Sequence, residues 1–158
     1  MILGKGDLAS VLKDRHDLLF FACGVSNSQE TNEAEYQREI DLLLNQSRDS
    51  HLVYFSTLAI FYSKTRYTTH KRVMEEIVKK NFKSYTIIRL GNITWGNNPH
   101  TLINYLKDNP QAELKDEYRY ICEKDEFLHW MSLIPTWSTE INIPGKRMKV
   151  AEIYKEYV

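Results

Sequence analysis

The sequence lacks an excess of charge of either sign, because 21 Lys and Arg residues balance 21 Asp and Glu residues. A chain with no net positive charge has no general attraction to nucleic acid or to an anionic membrane, so neither partner is expected. Long apolar runs are also absent: the longest, residues 18–23, is far too short to span a membrane, and no targeting signal is visible. With 158 residues, a single domain with one sizeable core is expected over residues 1–158.

Cysteine is scarce as well. Cys23 and Cys122 lie far apart and have no C-x-x-C companion. This usage predicts buried thiols in a reducing compartment, which indicates a cytoplasmic protein without a disulfide framework. The five histidines show no metal-ligand spacing, so no metal site is expected.

Short apolar runs of strand length alternate with amphipathic stretches of helix length, which is the pattern of an α/β fold with a mainly parallel sheet. Strands are predicted at residues 1–3, 18–23, 52–56 and 85–90, and helices at 30–46 and 68–80. The strand candidates are continuously apolar, which is typical of strands covered on both faces. Further along, we predict a loop at 91–99, helices at 101–107, 126–133 and 149–157, and strands at 118–122 and 141–143.

A glycine pattern follows the first predicted strand. Gly4, Gly6 and Ala9 form G-x-G-x-x-A before a predicted helical stretch at residues 8–12. Such glycines permit a tight turn and a close approach of the backbone to a pyrophosphate. A dinucleotide site normally adds an acidic residue after the next strand, but Ala22, Cys23 and the residues after them supply none. A turn that only joins a strand to a helix remains an alternative.

A tyrosine and a lysine share one face of the second predicted helix. Tyr67 and Lys71 are spaced i, i+4, and an ammonium near a phenol lowers its pKa and suits it to acid/base chemistry. The same spacing recurs at Tyr120 and Lys124, so it carries little weight alone. Only Tyr67 opens a helix soon after a strand that ends in Ser56-Thr57, and this context favours the first pair.

These elements, followed by the run 88–92 (IRLGN), resemble in their order the short-chain dehydrogenase/reductase superfamily. The similarity is greatest to its extended branch, the NAD-dependent epimerases and dehydratases that act on nucleotide sugars. The resemblance implies a Rossmann-type sheet with flanking helices and NAD or NADP as cofactor. It implies catalytic roles for Thr57, Tyr67 and Lys71. It implies cofactor contacts for Gly4, Gly6, Ala9, Lys71, Arg89 and Asn92.

The chain also departs from this family. Too few residues separate Ala9 from the strand at 18–23 to form the family's second and third strands, so we expect a minimal sheet with residues 1–3 at its edge. Leu58-Ala59 stands where the dehydratases of this branch carry an acid pair, which argues against a 4,6-dehydratase reaction.

Two functions from different classes follow. The first is an NAD(P)-dependent oxidoreductase or epimerase acting on a sugar-nucleotide-like or other small hydroxyl or carbonyl substrate. The alternative is a degenerate, non-catalytic family member that serves as a nucleotide-binding or protein-interaction module. A third hypothesis, an unrelated flavodoxin-like or regulatory α/β domain, requires the whole motif order to be accidental. A homodimer is expected, with pairing through the helices at 30–46 and 68–80 preferred to pairing across the edge strand.

Overall fold

The computed structural model describes residues 1–158, which form a five-stranded parallel sheet, a three-stranded sheet and five helices. The strands are β1 (Ile2–Leu3), β2 (Leu18–Phe21), β3 (His51–Thr57), β4 (Ser84–Leu90), β5 (Asn92–Ile93), β6 (Tyr118–Cys122), β7 (Thr139–Ile143) and β8 (Lys146–Lys149). The helices are α1 (Glu33–Leu44), α2 (Arg66–Asn81), α3 (Leu102–Asp108), α4 (Lys124–Ser132) and α5 (Val150–Tyr157). None of these helices is long and apolar enough to cross a membrane.

The larger sheet has the order β1-β2-β3-β4-β7, and every neighbouring pair in it is parallel. β1 is an edge strand that pairs only with β2, through Ile2 with Phe20 and Leu3 with Phe21. The predicted Rossmann-type sheet without the family's second and third strands is thereby confirmed. All five strands end at the same edge of the sheet, where open α/β sheets bind their ligands.

Both faces of this sheet are covered, as the continuous apolar runs predict. Phe20, Val53 and Ile88 point to one face and pack with Phe127 of α4. The opposite face packs against α1 and α2. The buried residues of this layer include Leu19, Leu52, Tyr54 and Ile87 of the sheet, and Leu43, Met74 and Val78 of the two helices. Because the two layers clamp β2, β3 and β4, the ends of these strands are fixed in place.

Helix α2 begins where its capping residues dictate. The Thr65 hydroxyl accepts a hydrogen bond from the Thr68 backbone N–H, and the Thr68 hydroxyl accepts one from the Thr65 N–H. This reciprocal cap satisfies two backbone donors that a helix N-terminus leaves unpaired. It places Tyr67 in the first turn, directly beside the carboxyl end of the sheet.

The structure contains short elements that the sequence pattern does not show. Residues 8–12 form no α-helix but a single 3-10 turn over Ala9–Val11, and a second 3-10 turn spans Leu58–Phe61. β5 and β8 are not apolar runs, and together with β6 they make the three-stranded sheet. This sheet needs Gly145, whose φ is +61° and whose added Cβ would lie 2.0 Å from the Ile121 carbonyl oxygen.

Candidate functional site

A polar cleft lies at the carboxyl end of the larger sheet. One part of it, of about 420 Å³, is lined by residues that include Thr57, Tyr62, Tyr67 and Asn92. An adjoining cavity of about 460 Å³ extends toward α3. The two parts share the lining residues Ser28, Gln29, Asn92, Glu117 and Arg119. The combined space is large enough for a small organic ligand.

Tyr67 presents a free hydroxyl to this cleft. The residue is partly buried, and its Oη makes no hydrogen bond to any protein group. Thr57, the last residue of β3, lines the same cleft, and its Oγ1 accepts a hydrogen bond from the Ala59 N–H at 3.1 Å. The Thr57 hydroxyl therefore keeps its own proton available to a ligand, and the cleft is lined by these two residues, which both carry hydroxyl groups.

Lys71 lies behind Tyr67 rather than in the cleft. Its side chain is only 3% exposed, and its Nζ lies 5.6 Å from the centre of the Tyr67 ring. The ammonium donates to both carboxylate oxygens of Glu39, at 3.2 and 3.3 Å, and to the Tyr54 hydroxyl at 3.2 Å. These three contacts use the three N–H bonds of the ammonium.

Glu39 lies on α1, and its carboxylate is surrounded by hydrogen-bond donors. It accepts hydrogen bonds from the Val25 backbone N–H, at 2.6 Å, and from the Tyr54 hydroxyl. A Cβ added at Gly24 would lie 2.8 Å from the carboxylate, so only glycine leaves room for it there. Burial opposes ionisation of Glu39, but the Lys71 charge and the surrounding donors outweigh it and lower the pKa of Glu39 to about 2.

The pKa of Tyr67 differs from the value that the resemblance implies. Burial raises this pKa, Lys71 lowers it, and Glu39 raises it again, with a net result above the ordinary value. The expectation that Lys71 lowers the pKa of Tyr67 below that of a free phenol is therefore corrected. The physical reason is that burial of the phenol raises this pKa by more than the Lys71 charge lowers it, and the Glu39 carboxylate adds a smaller effect in the same direction as burial.

The glycine turn after β1 has the features of an anion cradle. Gly4 has φ +119°, and an added Cβ would lie 2.1 Å from the Ala22 carbonyl oxygen, so glycine is required to seat the turn against β2. Gly6, in contrast, faces open space, with nothing within 4 Å of an added Cβ. The backbone N–H groups of residues 5–8 donate to no protein acceptor, and Ala9 begins the 3-10 turn that follows. The turn therefore fits the pyrophosphate of a dinucleotide.

The remaining sequence-predicted contacts separate into two groups. Asn92 lines both parts of the cleft and donates to the Tyr120 carbonyl oxygen at 3.2 Å. Arg89 is buried, and its guanidinium binds Glu75, Glu140 and Asn142. The Arg89 side chain is thus directed into an ion-pair network between β4, α2 and β7 and away from the cleft.

Glu39 is a site residue that was not predicted from the sequence. This residue falls three positions after Tyr36 and four before Leu43, both buried on the inner stripe of α1. A carboxylate on the apolar stripe of a helix is costly unless it is paired, so its position was a signal for a buried cation. Glu117 and Arg119, which pair at 2.5 Å at the cleft wall, were missed because a polar edge segment has no periodic signature.

The fold matches that of several solved structures at low sequence identity. WbmG of Bordetella bronchiseptica, in complex with NAD, superposes with a TM-score of 0.67 at 13% identity, covering 88% of this chain and 54% of that chain. A UDP-galactose 4-epimerase gives 0.61 at 13%, covering 88% and 60%. The capsular polysaccharide assembling protein CapF of Staphylococcus aureus gives 0.56 at 15%, covering 93% and 45%.

These likenesses confirm the predicted resemblance at the level of the fold. The chain spans about half the length of the solved proteins that it matches. No protein-family model matches the sequence, and no curated protein matches it either.

Proposed function

We propose that this protein is an NAD(P)-dependent epimerase or oxidoreductase that acts on a sugar-nucleotide-like or other small hydroxyl or carbonyl substrate. The observation that carries the proposal is that Thr57 and Tyr67 line one cleft at the carboxyl end of a parallel sheet, with the Tyr67 hydroxyl unpaired. A phenol and an alcohol in this arrangement can bind and protonate one substrate oxygen.

The cofactor would be held first by the glycine turn. Gly4 and Gly6 shape the turn, Ala9 follows it, and the free N–H groups of residues 5–8 would hydrogen-bond the pyrophosphate. Asn92 would contact the ligand where the two parts of the cleft meet. A bound nicotinamide dinucleotide would supply or accept the hydride.

In the proposed reaction the chain's own residues handle the substrate oxygen. Thr57 donates a hydrogen bond to it, and Tyr67 exchanges a proton with it as hydride reaches or leaves the attached carbon. Lys71 supplies a positive charge close to the Tyr67 ring, and Glu39 moderates that charge. Support for a nucleotide sugar as the substrate comes from the structural neighbours, one of which is a UDP-galactose 4-epimerase and another WbmG in complex with NAD and UDP.

The test combines ligand binding with turnover. Thermal unfolding with NAD, NADH, NADP and NADPH should show at least one dinucleotide raising Tm, because a ligand that binds only the folded state stabilises it by mass action. Hydride transfer is then followed with UDP-sugars and small carbonyl compounds. Tyr67→Phe should abolish turnover and leave dinucleotide binding nearly unchanged. Tyr85→Phe, at the amino end of β4 and far from the cleft, is the matched control.

The second candidate is a non-catalytic nucleotide-binding or protein-interaction module. The observation that favours it is the commitment of all three Lys71 donors to Glu39 and Tyr54, since the family resembled here uses this lysine to bind the nicotinamide ribose. A dinucleotide that raises Tm without hydride transfer to any substrate tested would support this candidate over the enzyme. If none of the four dinucleotides raises Tm, only the protein-interaction module remains as a candidate.

A further inference from the structure

We propose that Glu39 is a positioning residue: it holds the Lys71 ammonium in the core and neutralises it there, so that Tyr67 works as a proton donor and not as a phenolate base. This inference rests on the proposed function and favours its reductase form over the epimerase, because an epimerase would also need Tyr67 to accept a proton from the substrate hydroxyl. It concerns a residue on α1 that does not itself line the cleft.

The first support is that the carboxylate position is built by several elements at once. α1 supplies Glu39, the segment after β2 supplies the Val25 N–H and the space at Gly24, and β3 supplies the Tyr54 hydroxyl. Glu39 is 0% exposed and Tyr54 is 0% exposed. A carboxylate held this firmly cannot follow the lysine into the cleft, so the lysine has to remain with the carboxylate.

The second support is that the ammonium has no donor left for the cleft side. Lys71 reaches two oxygens of Glu39 and one of Tyr54, all at 3.2 to 3.3 Å. The Nζ approaches the Tyr67 ring at 5.6 Å, and no hydrogen bond joins it to the Tyr67 hydroxyl. Only the electrostatic field of the pair therefore reaches Tyr67, and the field of a close ion pair is weak compared with that of a lone cation.

The third support comes from every titratable group around Tyr67. The groups that surround Tyr67 and Glu39 or share their part of the cleft are Lys71 and His70 of α2, Glu39 and Tyr36 of α1, Tyr54 of β3, Tyr62 after the second 3-10 turn, and Glu117 and Arg119 at the start of β6. Lys71 and Arg119 are each paired with a carboxylate, Lys71 with Glu39 at 3.2 Å and Arg119 with Glu117 at 2.5 Å, and the His70 Nε2 also lies 3.3 Å from Glu39 Oε1. The phenol therefore has no unpaired positive charge nearby that would stabilise a phenolate.

A phenol that keeps its proton suits the reductive direction. A bound reduced nicotinamide dinucleotide would supply the hydride to the carbonyl carbon of the substrate and be oxidised, and the C=O π electrons would move onto the oxygen. The Tyr67 O–H bond breaks and its proton forms a new O–H bond with that oxygen, which gives the alcohol. The Tyr67 phenolate then regains a proton from water in the cleft.

The test measures the ionisation of Tyr67 in the protein alone. Tyrosinate absorbance is titrated in the wild type and in Glu39→Gln, and the curve of the same protein carrying Tyr67→Phe is subtracted from each. Far-UV circular dichroism marks the pH range in which the fold is intact. Removing the carboxylate leaves Lys71 unopposed, so Glu39→Gln should lower the Tyr67 midpoint by about one pH unit or more. Glu39→Asp, which keeps the charge, should stay within about half a pH unit of the wild type.

An unchanged midpoint in a folded Glu39→Gln variant would overturn the proposal. If that variant does not fold, the double variant E39Q/K71M removes both charges and leaves no buried ion unpaired. Its Tyr67 midpoint should lie within about half a pH unit of the wild type if the two charges cancel. A midpoint raised by about one unit or more would show that Lys71 acts on Tyr67 without being neutralised, which contradicts the proposal. Because this titration needs no cofactor or substrate, its outcome is independent of whether hydride transfer is found.

Discussion

Lys71 and Glu39 form an ion pair between α2 and α1 in the core of the protein. The Nζ lies 3.2 Å from Oε1, and the two side chains are 3% and 0% exposed. Burial alone would lower the pKa of Lys71, but the Glu39 charge outweighs it and raises that pKa, so both partners stay ionised. The pair fastens the helix that carries Tyr67 to the helix beside it.

Breaking this pair from either side should be costly. Glu39→Gln or Lys71→Met leaves one buried charge without its partner, and each should reduce the free energy of unfolding by about 3 to 5 kcal/mol. E39Q/K71M should lose markedly less than the sum of the two single variants. Urea unfolding of all four proteins measures the coupling as a double-mutant cycle.

The matched control is the exposed pair of Lys83 and Asp49, which lies on the surface with side chains 78% and 75% exposed. Lys83→Met should change stability by less than about 1 kcal/mol. If the stability losses of Glu39→Gln and Lys71→Met simply add up in the double variant, the buried pair contributes no coupling energy.

The sheet could be predicted because its central strands are continuous apolar runs in the sequence. The runs predicted at 18–23, 52–56 and 85–90 form β2, β3 and β4, whose residues are mostly buried, and their interpretation as central strands is confirmed. β5 and β8 could not be predicted in the same way, because β8 exposes three of its four residues and β5 has only two. Their pairing depends on tertiary contacts with β6 that no local pattern records.

The site was predicted in part for a similar reason. The i, i+4 spacing places Tyr67 and Lys71 on one face of α2, and helix geometry alone supports that step. The direction of the ammonium depends on Glu39, which lies 32 residues earlier in the chain. Arg89 shows the same limit, since Glu75, Glu140 and Asn142 decide where its guanidinium points.

The two glycines of the first turn should respond differently to alanine. Gly4→Ala places a Cβ against the Ala22 carbonyl at a positive φ, so it should reduce the free energy of unfolding by about 2 kcal/mol or more. Gly6→Ala has room for its methyl group and should change stability by less than about 1 kcal/mol. If a pyrophosphate binds over the turn, Gly6→Ala should weaken dinucleotide binding at unchanged stability, as isothermal titration calorimetry would show. Undiminished affinity in Gly6→Ala would place the pyrophosphate elsewhere.

His51 should make stability depend on pH below neutrality. Its ring joins β3 to β4 through Ser84 and Thr86, and burial lowers its pKa below the ordinary 6.5. The folded state therefore disfavours the charged ring. The stability that the neutral His51 ring contributes is fully present above pH 6.5 and is lost as the pH falls toward the lowered pKa. His51→Asn does not titrate. The difference in Tm between wild type and His51→Asn should thus shrink from pH 7.5 to pH 5.5, and a constant difference would contradict the assignment.

The protein is expected to pair with a second copy of itself through α1 and α2. These helices cover one face of the sheet, and Val73 of α2 is a large apolar residue left 46% exposed on their outer side. A stable contact of at least about 1,000 Å² in total is needed, and charged residues of the same surface would form its rim. Light scattering at micromolar concentration should give twice the chain mass.

Val73→Glu should shift that mass toward the monomer, because a buried unpaired carboxylate in an interface core is unfavourable. Lys155→Glu, on the exposed side of α5, is the control and should leave the mass unchanged. If Val73→Glu remains a dimer, the interface is not formed by α1 and α2, and the β1 edge, where only one side of the strand is paired, is the alternative. A monomer mass for the wild type would show that the short edge strand of this minimal sheet is tolerated in water, with neither surface in need of a partner.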